Sequence, residues 1–405
     1  MRHLLSIVFL LLCFTIRSQV VITKATSGIN ISADKASNAA SPAFTALGNI
    51  VIRENLRTDI PNPSAGGTFT ISAPQGWKFK SATGTITANG PPNDIISKSI
   101  TVTANTIIIN YTTNTANNID ILTISGIQIQ CSNGADVPGT GELLFTSVSP
   151  SISGIINNVT SAGSLSQIAG DPGKLAIILP GQVYIDGSTV SGTGVSGNPV
   201  PQISCVAFNI GKILAKDQFG NISTSYSGSK RMTYEGPSSG SLPPVYTTQI
   251  NFLSGQSTTI PATVLKKAET IRINTTDGSI MPEPSSLLTV IPNIVSRFEI
   301  KASDGTEIQN QTAGQPFTIM IMAFDADGNI CNSGPNAFNG IINLSSTGTL
   351  SQGTGMTANF TNGILTSHSV TISDTGTFLL KADSGAISTA GNLFEVGCKT
   401  HQYQQ

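Results

Sequence analysis

Charge is the first thing this sequence lacks. Acidic and basic side chains make up 11% of it, less than half the usual share. Lys and Arg number 21 against 22 Asp and Glu, a formal net charge of −1. No basic face stands out, so nucleic acid and anionic membrane are poor partners. Histidine is scarcer still, and beyond residue 18 it occurs only at His368 and His401. Acid–base and zinc chemistry therefore have few of their usual side chains to draw on. Trp77 is the single tryptophan. Sugar-binding modules usually show several exposed aromatics, so a core position under a sheet is the expected place for this one. After Phe14 no apolar run is long enough to cross a bilayer as a helix.

Paired cysteines are missing as well. Beyond the first residues the chain has Cys131, Cys205, Cys331 and Cys398, widely spaced and without a Cys-x-x-Cys pair. A reduced, buried role is expected for at least two of them. Export would permit disulfides, but spacing does not choose among the three pairings.

What is present points to strands. Gly (40) and Pro (21) are frequent, and Ser, Thr, Asn, Val and Ile dominate the remainder. That mixture disfavours long helices and suits short strands with tight turns. The N-terminus reads as a secretory leader, 1–18. Arg2 and His3 give the positive start, an apolar core follows over 4–14, and Ser18 fills the cleavage position. The mature chain is expected to start at Gln19, with a formal charge of 19 − 22 = −3. Leu12 stands before Cys13 where a lipobox wants a small residue, so lipid anchoring is not the favoured reading.

The chain is organised around residues 317–346. An apolar run ends in Asp325-Ala326-Asp327-Gly328-Asn329, a polar loop follows, and a second apolar run begins at Gly340. A weaker copy lies at 209–236. Ala215, Asp217, Gly220 and Asn221 map onto Ala323, Asp325, Gly328 and Asn329 (325 − 217 = 108). Asn251, Phe252 and Gly255 map onto Asn359, Phe360 and Gly363 (360 − 252 = 108). One offset held by two separated motifs indicates a duplicated domain.

The expected fold is all-β, three β-sandwich domains in series at 19–168, 173–292 and 297–396, with a polar tail at 397–405. In the first, strands are expected at 48–54, 68–73, 77–79, 99–103, 106–111, 120–124, 127–130 and 142–145. Phe69 and Ile71 alternate onto one face. Ser125-Gly126 reads as a bulge or tight turn between two such runs. Seven or eight short strands over this length indicate a sandwich. In the second domain, 181–201 reads as a long exposed loop. A strand alternating through Ile203, Cys205 and Ala207 is expected to feed the Asp217 turn. In the third, the expected strands lie at 297–302, 317–324, 340–344, 357–360, 367–372, 377–381 and 392–396.

Two resemblances attach to particular residues. Ala323-x-Asp325-x-x-Gly328-Asn329, Ile342-x-Leu344-Ser345-Ser346-x-Gly348-x-Leu350, Ala358-Asn359-Phe360-x-Asn362-Gly363 and Val370-Thr371-Ile372 resemble bacterial immunoglobulin-like modules of the invasin and intimin type. The second domain matches more loosely. Thr233-x-Glu235-Gly236 stands where the Leu-Ser-Ser segment belongs, and its loops are longer. The resemblance implies Ig-like sandwiches acting as stalks or adhesive tips. In the first domain, the runs 31–35, 41–52, 73–79 and 122–127 resemble an uncharacterised module of secreted surface proteins of gliding bacteria that use type IX secretion. That likeness implies a compartment and no activity.

Residues 325–329 also look like the start of a calcium loop. An EF-hand would need Glu at the twelfth position, and counting from Asp325 that position is Asn336. The copy at Asp217 has Phe219 in place of the second carboxylate. A strand-ending turn, capped by Asp with Gly at positive φ, is the reading adopted. In that reading the glycine matters more than the carboxylates, and Asp325→Ala has an intermediate effect. His368 is expected on the solvent face of a strand and His401 in the tail. No nucleophile elbow, phosphate loop or zinc cluster is found. The sequence thus implies a secreted or cell-surface, non-catalytic protein, structural or adhesive, without cofactor or metal, and with a protein or glycan surface ligand. The alternatives are an array of carbohydrate-binding modules and a non-catalytic fragment of a larger secreted enzyme.

Overall fold

A computed structural model describes residues 19–62, 66–89, 92–137, 139–187, 194–237 and 242–398. Residues 1–18, where a leader is expected, and the last residues of the tail, His401 among them, lie outside these. The described chain is all-β, with short 3-10 turns and no α-helix. No helix among the described residues is long and apolar enough to cross a membrane. The chain forms two compact units. The first runs to Gly173 and also takes in 186–187 and 216–225; the second holds the remaining described residues.

The first unit is a sandwich. One layer is a six-stranded sheet in the order Ile31–Ser32, Ser161–Ile168, Thr140–Ser149, Gly67–Ser72, Thr106–Thr113 and Ile95–Val102. A four-stranded sheet and a three-stranded sheet share its hydrophobic core. The chain passes between these two at Gly126, where Ile121–Ser125 of one gives way to Gln128–Cys131 of the other. Gly126 has φ +71°, which an L-residue adopts only at a cost. The residue read as a bulge or turn is thus the point where the chain changes sheet.

Alternation delivers the core. Gly67–Ser72 buries every second residue, and Phe69 and Ile71 meet Ile109 and Ile107 across the ladder. Phe69 packs against Tyr111 and Phe145, with ring centroids 6.2 and 5.8 Å away. Trp77 is buried in the same core, as its rarity suggested.

The second unit contains two hydrophobic clusters. One is built from Leu175, Ile213, Ile250, Phe252 and Ile273, the other from Phe298, Ile319, Ile321, Phe360 and Val370. Around the second, Phe317–Phe324 sits between Arg297–Ala302 and Ile364–Ile372 in a four-stranded sheet. Three rings, Phe298, Phe338 and Phe360, meet edge to face at 5.0–6.0 Å. Because this cluster is self-contained, residues 295–396 expressed alone are expected to melt cooperatively. A near-UV circular dichroism spectrum without fine structure would refute this.

The offset of 108 recurs in the backbone itself. The bridge Lys216↔Ile222 matches Phe324↔Ile330. The bond from the Ala215 N–H to the Gly255 carbonyl matches that from Ala323 to Gly363, both 2.8 Å. Ser254 (φ +48°) matches Asn362 (φ +49°), and Gly220 (φ +83°) matches Gly328 (φ +86°).

Several expectations are corrected. The 181–201 segment is not simply a loop, because Val183–Tyr184 pairs antiparallel with Val195–Ser196. The strand expected through Cys205 is broken. Cys205 has φ +58°, a left-handed conformation that ends Gln202–Ile203 before Phe208–Asn209 starts. The strand expected at 357–360 is absent, and Gly355–Met356 pairs in its place. His368 is half-buried, not solvated, and one ring nitrogen, Nε2, lies 2.9 Å from the Gly353 carbonyl.

Candidate functional site: the repeated Asp-x-x-Gly-Asn turns

Both copies of the turn fold the same way, for a local reason. The Asp carboxylate curls back onto its own backbone. Asp325 Oδ1 accepts from the N–H groups of Asp327 (3.0 Å) and Asn329 (2.8 Å). Asp217 Oδ1 does the same with Phe219 and Asn221, both at 2.9 Å. The Asn side chain closes the loop, donating from Nδ2 to Oδ2 of the Asp at 2.8 Å in each copy. This is the Asx-type turn the sequence predicts.

Neither turn is a free surface loop. Asp325 is fully buried. Its Oδ2 also accepts from Ser204 Oγ (2.7 Å) and from the Asn293 N–H (3.0 Å). Asn329 donates to the Lys266 carbonyl and accepts from the Ala268 N–H, each at 2.8 Å. Ser204, Lys266 and Ala268 belong to the part of the second unit built around the Leu175 cluster, and Asp325 and Asn329 to the part built around the Phe298 cluster. Within the second unit, then, the turn is a clasp between these two parts. Arg297 reinforces it, donating to the Asp325 carbonyl (3.0 Å) and to Glu299 (3.0 Å).

The copy at Asp217 is fastened within the first unit. Its Oδ2 accepts from the Gly170 N–H, and Asn221 donates to the Gly134 carbonyl, both at 2.8 Å. Gln218 donates to Asp34 (2.8 Å) and accepts from the Ala40 N–H (2.9 Å). Phe219 packs on the hydrophobic core, close against Gly134, where a Cβ would stand 2.1 Å from its ring. The position held by Asp327 in the other copy is therefore a packing residue here.

Burial opposes ionisation of Asp325, but the donors on Asn329, Ser204 and Asn293 outweigh it and hold its carboxyl below the usual range. Five donors converge on two oxygens, which fills the acceptor capacity of a carboxylate and leaves nothing to offer a cation. Addition of calcium or EDTA is accordingly expected to leave the melting temperature unchanged. A rise of several degrees with calcium, abolished by Asp327→Ala, would overturn this. Among the described residues, no cluster of three His, Cys, Asp or Glu side chains is arranged to hold a metal.

A second acidic group lies in the first unit. Glu54, Asp94 and Asp120 are each 2% exposed. Glu54 accepts backbone N–H bonds from Ile60 and Asp120, both at 2.8 Å, and Asp120 accepts one from Asp94 (2.9 Å). Asp94 accepts from Asn117 and Asn118 N–H at 2.7 Å and from the Thr115 hydroxyl. These carboxylates organise loops. Burial, with help from neighbouring carboxylates, pushes Glu54 and Asp120 up. Burial also opposes ionisation of Asp94, yet its hydrogen bonds hold it below the usual range.

A raised folded pKa stabilises most below the unfolded value and loses that contribution as pH rises through the folded one. The first unit should therefore gain stability as pH falls from about 7 to about 5. Asp94 and Asp325 act with the opposite sign, and their contributions are lost only as pH falls below the ordinary carboxylate range. Trp77 fluorescence reads the first unit alone. A midpoint that falls over that pH interval would refute the assignment.

Cys131, Cys205, Cys331 and Cys398 are free. Cys131 and Cys331 are buried, and burial pushes both thiols up to about 11. A cavity of about 590 Å³ lies in the second unit beside Arg272, Glu283, Ser285 and Asn198. Among the described residues, no aromatic ring lines it.

No protein-family model matches this sequence, and no curated protein matches it. Solved structures give only distant likenesses. The Escherichia coli adhesin FdeC is 12% identical, with 95% of this chain and 97% of that one covered and a TM-score of 0.33. Invasin, a bacterial integrin-binding protein, is 12% identical over 94% of this chain and 60% of its own, with a TM-score of 0.28. Domains 4 and 5 of the S-layer protein SbsC are 16% identical over 41% and 77%, with a TM-score of 0.19. At this level of identity and superposition none carries an argument. The fold rests on the strand pairing described above.

Proposed function

We propose that this chain is a non-catalytic structural or adhesive protein of the cell surface, exported through its leader. We read it as three sandwiches in series at 19–168, 173–292 and 297–396, the last two Ig-like. The observation that carries the reading is the clasp at Asp325. It uses a fully buried carboxylate and a side-chain amide to hold one sandwich against the next, which is what an element that resists tension or keeps a fixed spacing requires. A non-catalytic fragment of a larger secreted enzyme is the remaining alternative.

A glycan-binding role is the second reading, favoured by the polar cavity at Arg272 and Glu283. The two separate in one experiment. The mature chain is immobilised and offered to glycan arrays, to cells and to matrix proteins. Binding to cells or matrix but not glycans supports adhesion through protein contacts. Saturable glycan binding lost in Arg272→Ala supports the second reading. Binding to none of them would remove the adhesive role and leave the structural one.

A further inference from the structure

A clasp has two halves, a turn and a socket. The socket on the second sandwich is built mostly from backbone. Gln202 and Ile203 pair in parallel with Val290 and Ile291. The Ser204 N–H then donates to the Ile291 carbonyl, and the Cys205 N–H, at φ +58°, to the Leu265 carbonyl, both at 2.8 Å. The residues after Leu265 supply the Lys266 carbonyl and Ala268 N–H that grip Asn329.

The third sandwich repeats this backbone. Gln311 and Thr312 pair in parallel with Val396 and Gly397. The Ala313 N–H donates to the Gly397 carbonyl, and the Gly314 N–H, at φ +68°, to the Ile372 carbonyl, both at 2.9 Å. The next bond matches too, since Val206 N–H to Ile203 and Gln315 N–H to Thr312 span 3.2 and 3.1 Å. The following strands keep step, with Thr270↔Thr289 answered by Thr377↔Glu395. This correspondence places Ser373 at Lys266, Thr375 at Ala268 and Ala313 at Ser204. Ser373, Thr375 and Gly314 are exposed.

We propose that this end of the third sandwich is a further socket, which takes the Asp-x-x-Gly-Asn turn of another sandwich module joined after it. The occupied copy states what the occupant must bring. An Asn side chain bonds the Ser373 carbonyl and the Thr375 N–H, and an Asp carboxylate faces Ala313. Ala313 lacks the hydroxyl that Ser204 gives to Asp325, so this socket grips one bond short. The position matching Asn293 lies outside the described residues. The inference holds whether the surface ligand is protein or glycan.

The test extends the chain. A copy of residues 292–396 is placed directly after Gly397, and amide exchange is followed by nuclear magnetic resonance. The added copy's own Thr375 is the free reference, and its central-strand amides report that it has folded. Exchange at the original Thr375 N–H is expected to slow by about tenfold or more relative to that reference. Asp325→Ala in the added copy should abolish the slowing, and Ala313→Ser in the original should deepen it. Equal exchange at the two Thr375 sites would overturn the proposal. So would slowing that survives Asp325→Ala in a folded added copy, or that Ala313→Ser leaves unchanged.

Discussion

Asp325→Ala is expected to cost about 3–5 kcal/mol, the largest loss of any single change in the second unit outside its cores. The side chain is fully buried. Its removal takes the acceptor from the Ser204 hydroxyl, from one N–H of the Asn329 side chain and from the backbone N–H groups of Asp327 and Asn329, while the Asn293 N–H keeps Ser204 Oγ at 3.1 Å. A buried donor left unpaired costs about 1–3 kcal/mol, though relaxation and water recover part of the sum. Comparison changes rank the cause. Ser204→Ala removes the bond to Asp325 and one of the two acceptors of the Asn293 N–H, which keeps Asp325 Oδ2, and should cost about 1 kcal/mol. Gly328→Val places a β-branched residue at a φ of +86°, a strain of about 1–3 kcal/mol. Asp327 meets the socket through the thiol of Cys205, a weak donor, and Asp327→Ala should change stability by less than about 1 kcal/mol. Denaturant unfolding of the four variants checks the order. This ranking reverses the expectation from sequence, in which the glycine mattered more than the carboxylate. If Asp325→Ala proves milder than Gly328→Val, the clasp is not what joins the sandwiches.

In the first unit Glu54→Gln should be the comparable change, at about 2–4 kcal/mol. Both carboxylate oxygens of Glu54 accept backbone N–H groups, from Ile60 and from Asp120. An amide keeps one acceptor and turns an NH₂ toward the other N–H, so two donors face each other in a site closed to water. The variant carries a second signature. Its side chain does not titrate, so the gain in stability between about pH 7 and about pH 5 should shrink toward what Asp120 alone supplies. Trp77 fluorescence in urea, at both pH values, measures the two effects together. An unchanged pH dependence would show that Glu54 is not the group that titrates.

Much of the architecture was legible because it follows from period and repetition. Alternation placed Phe69 and Ile71 inside. The shared offset of 108 announced two modules with one backbone plan, and bridges and positive-φ positions repeat at that spacing. The chemistry of the turn was legible as well, since an Asp followed by Gly-Asn makes its own local bonds. The break at Cys205 was not, because alternation continues past it and nothing in the residue type announces a left-handed conformation.

The partners of the turn were out of reach for a different reason. Ser204 lies 121 residues before Asp325 in the chain. The other contacts are the N–H groups of Asn293 and Ala268 and the carbonyl of Lys266, which every residue carries and which leave no mark in a sequence. By itself, then, the sequence determined that the chain is all-β, that it contains a duplicated module, and that each copy ends a strand in an Asx turn. Those follow from side-chain periodicity and local hydrogen bonding. Only the tertiary structure decided that the turn is a buried clasp and not a surface hinge. Burial of a carboxylate depends on which distant backbone groups converge on it, and that convergence is a property of the folded chain.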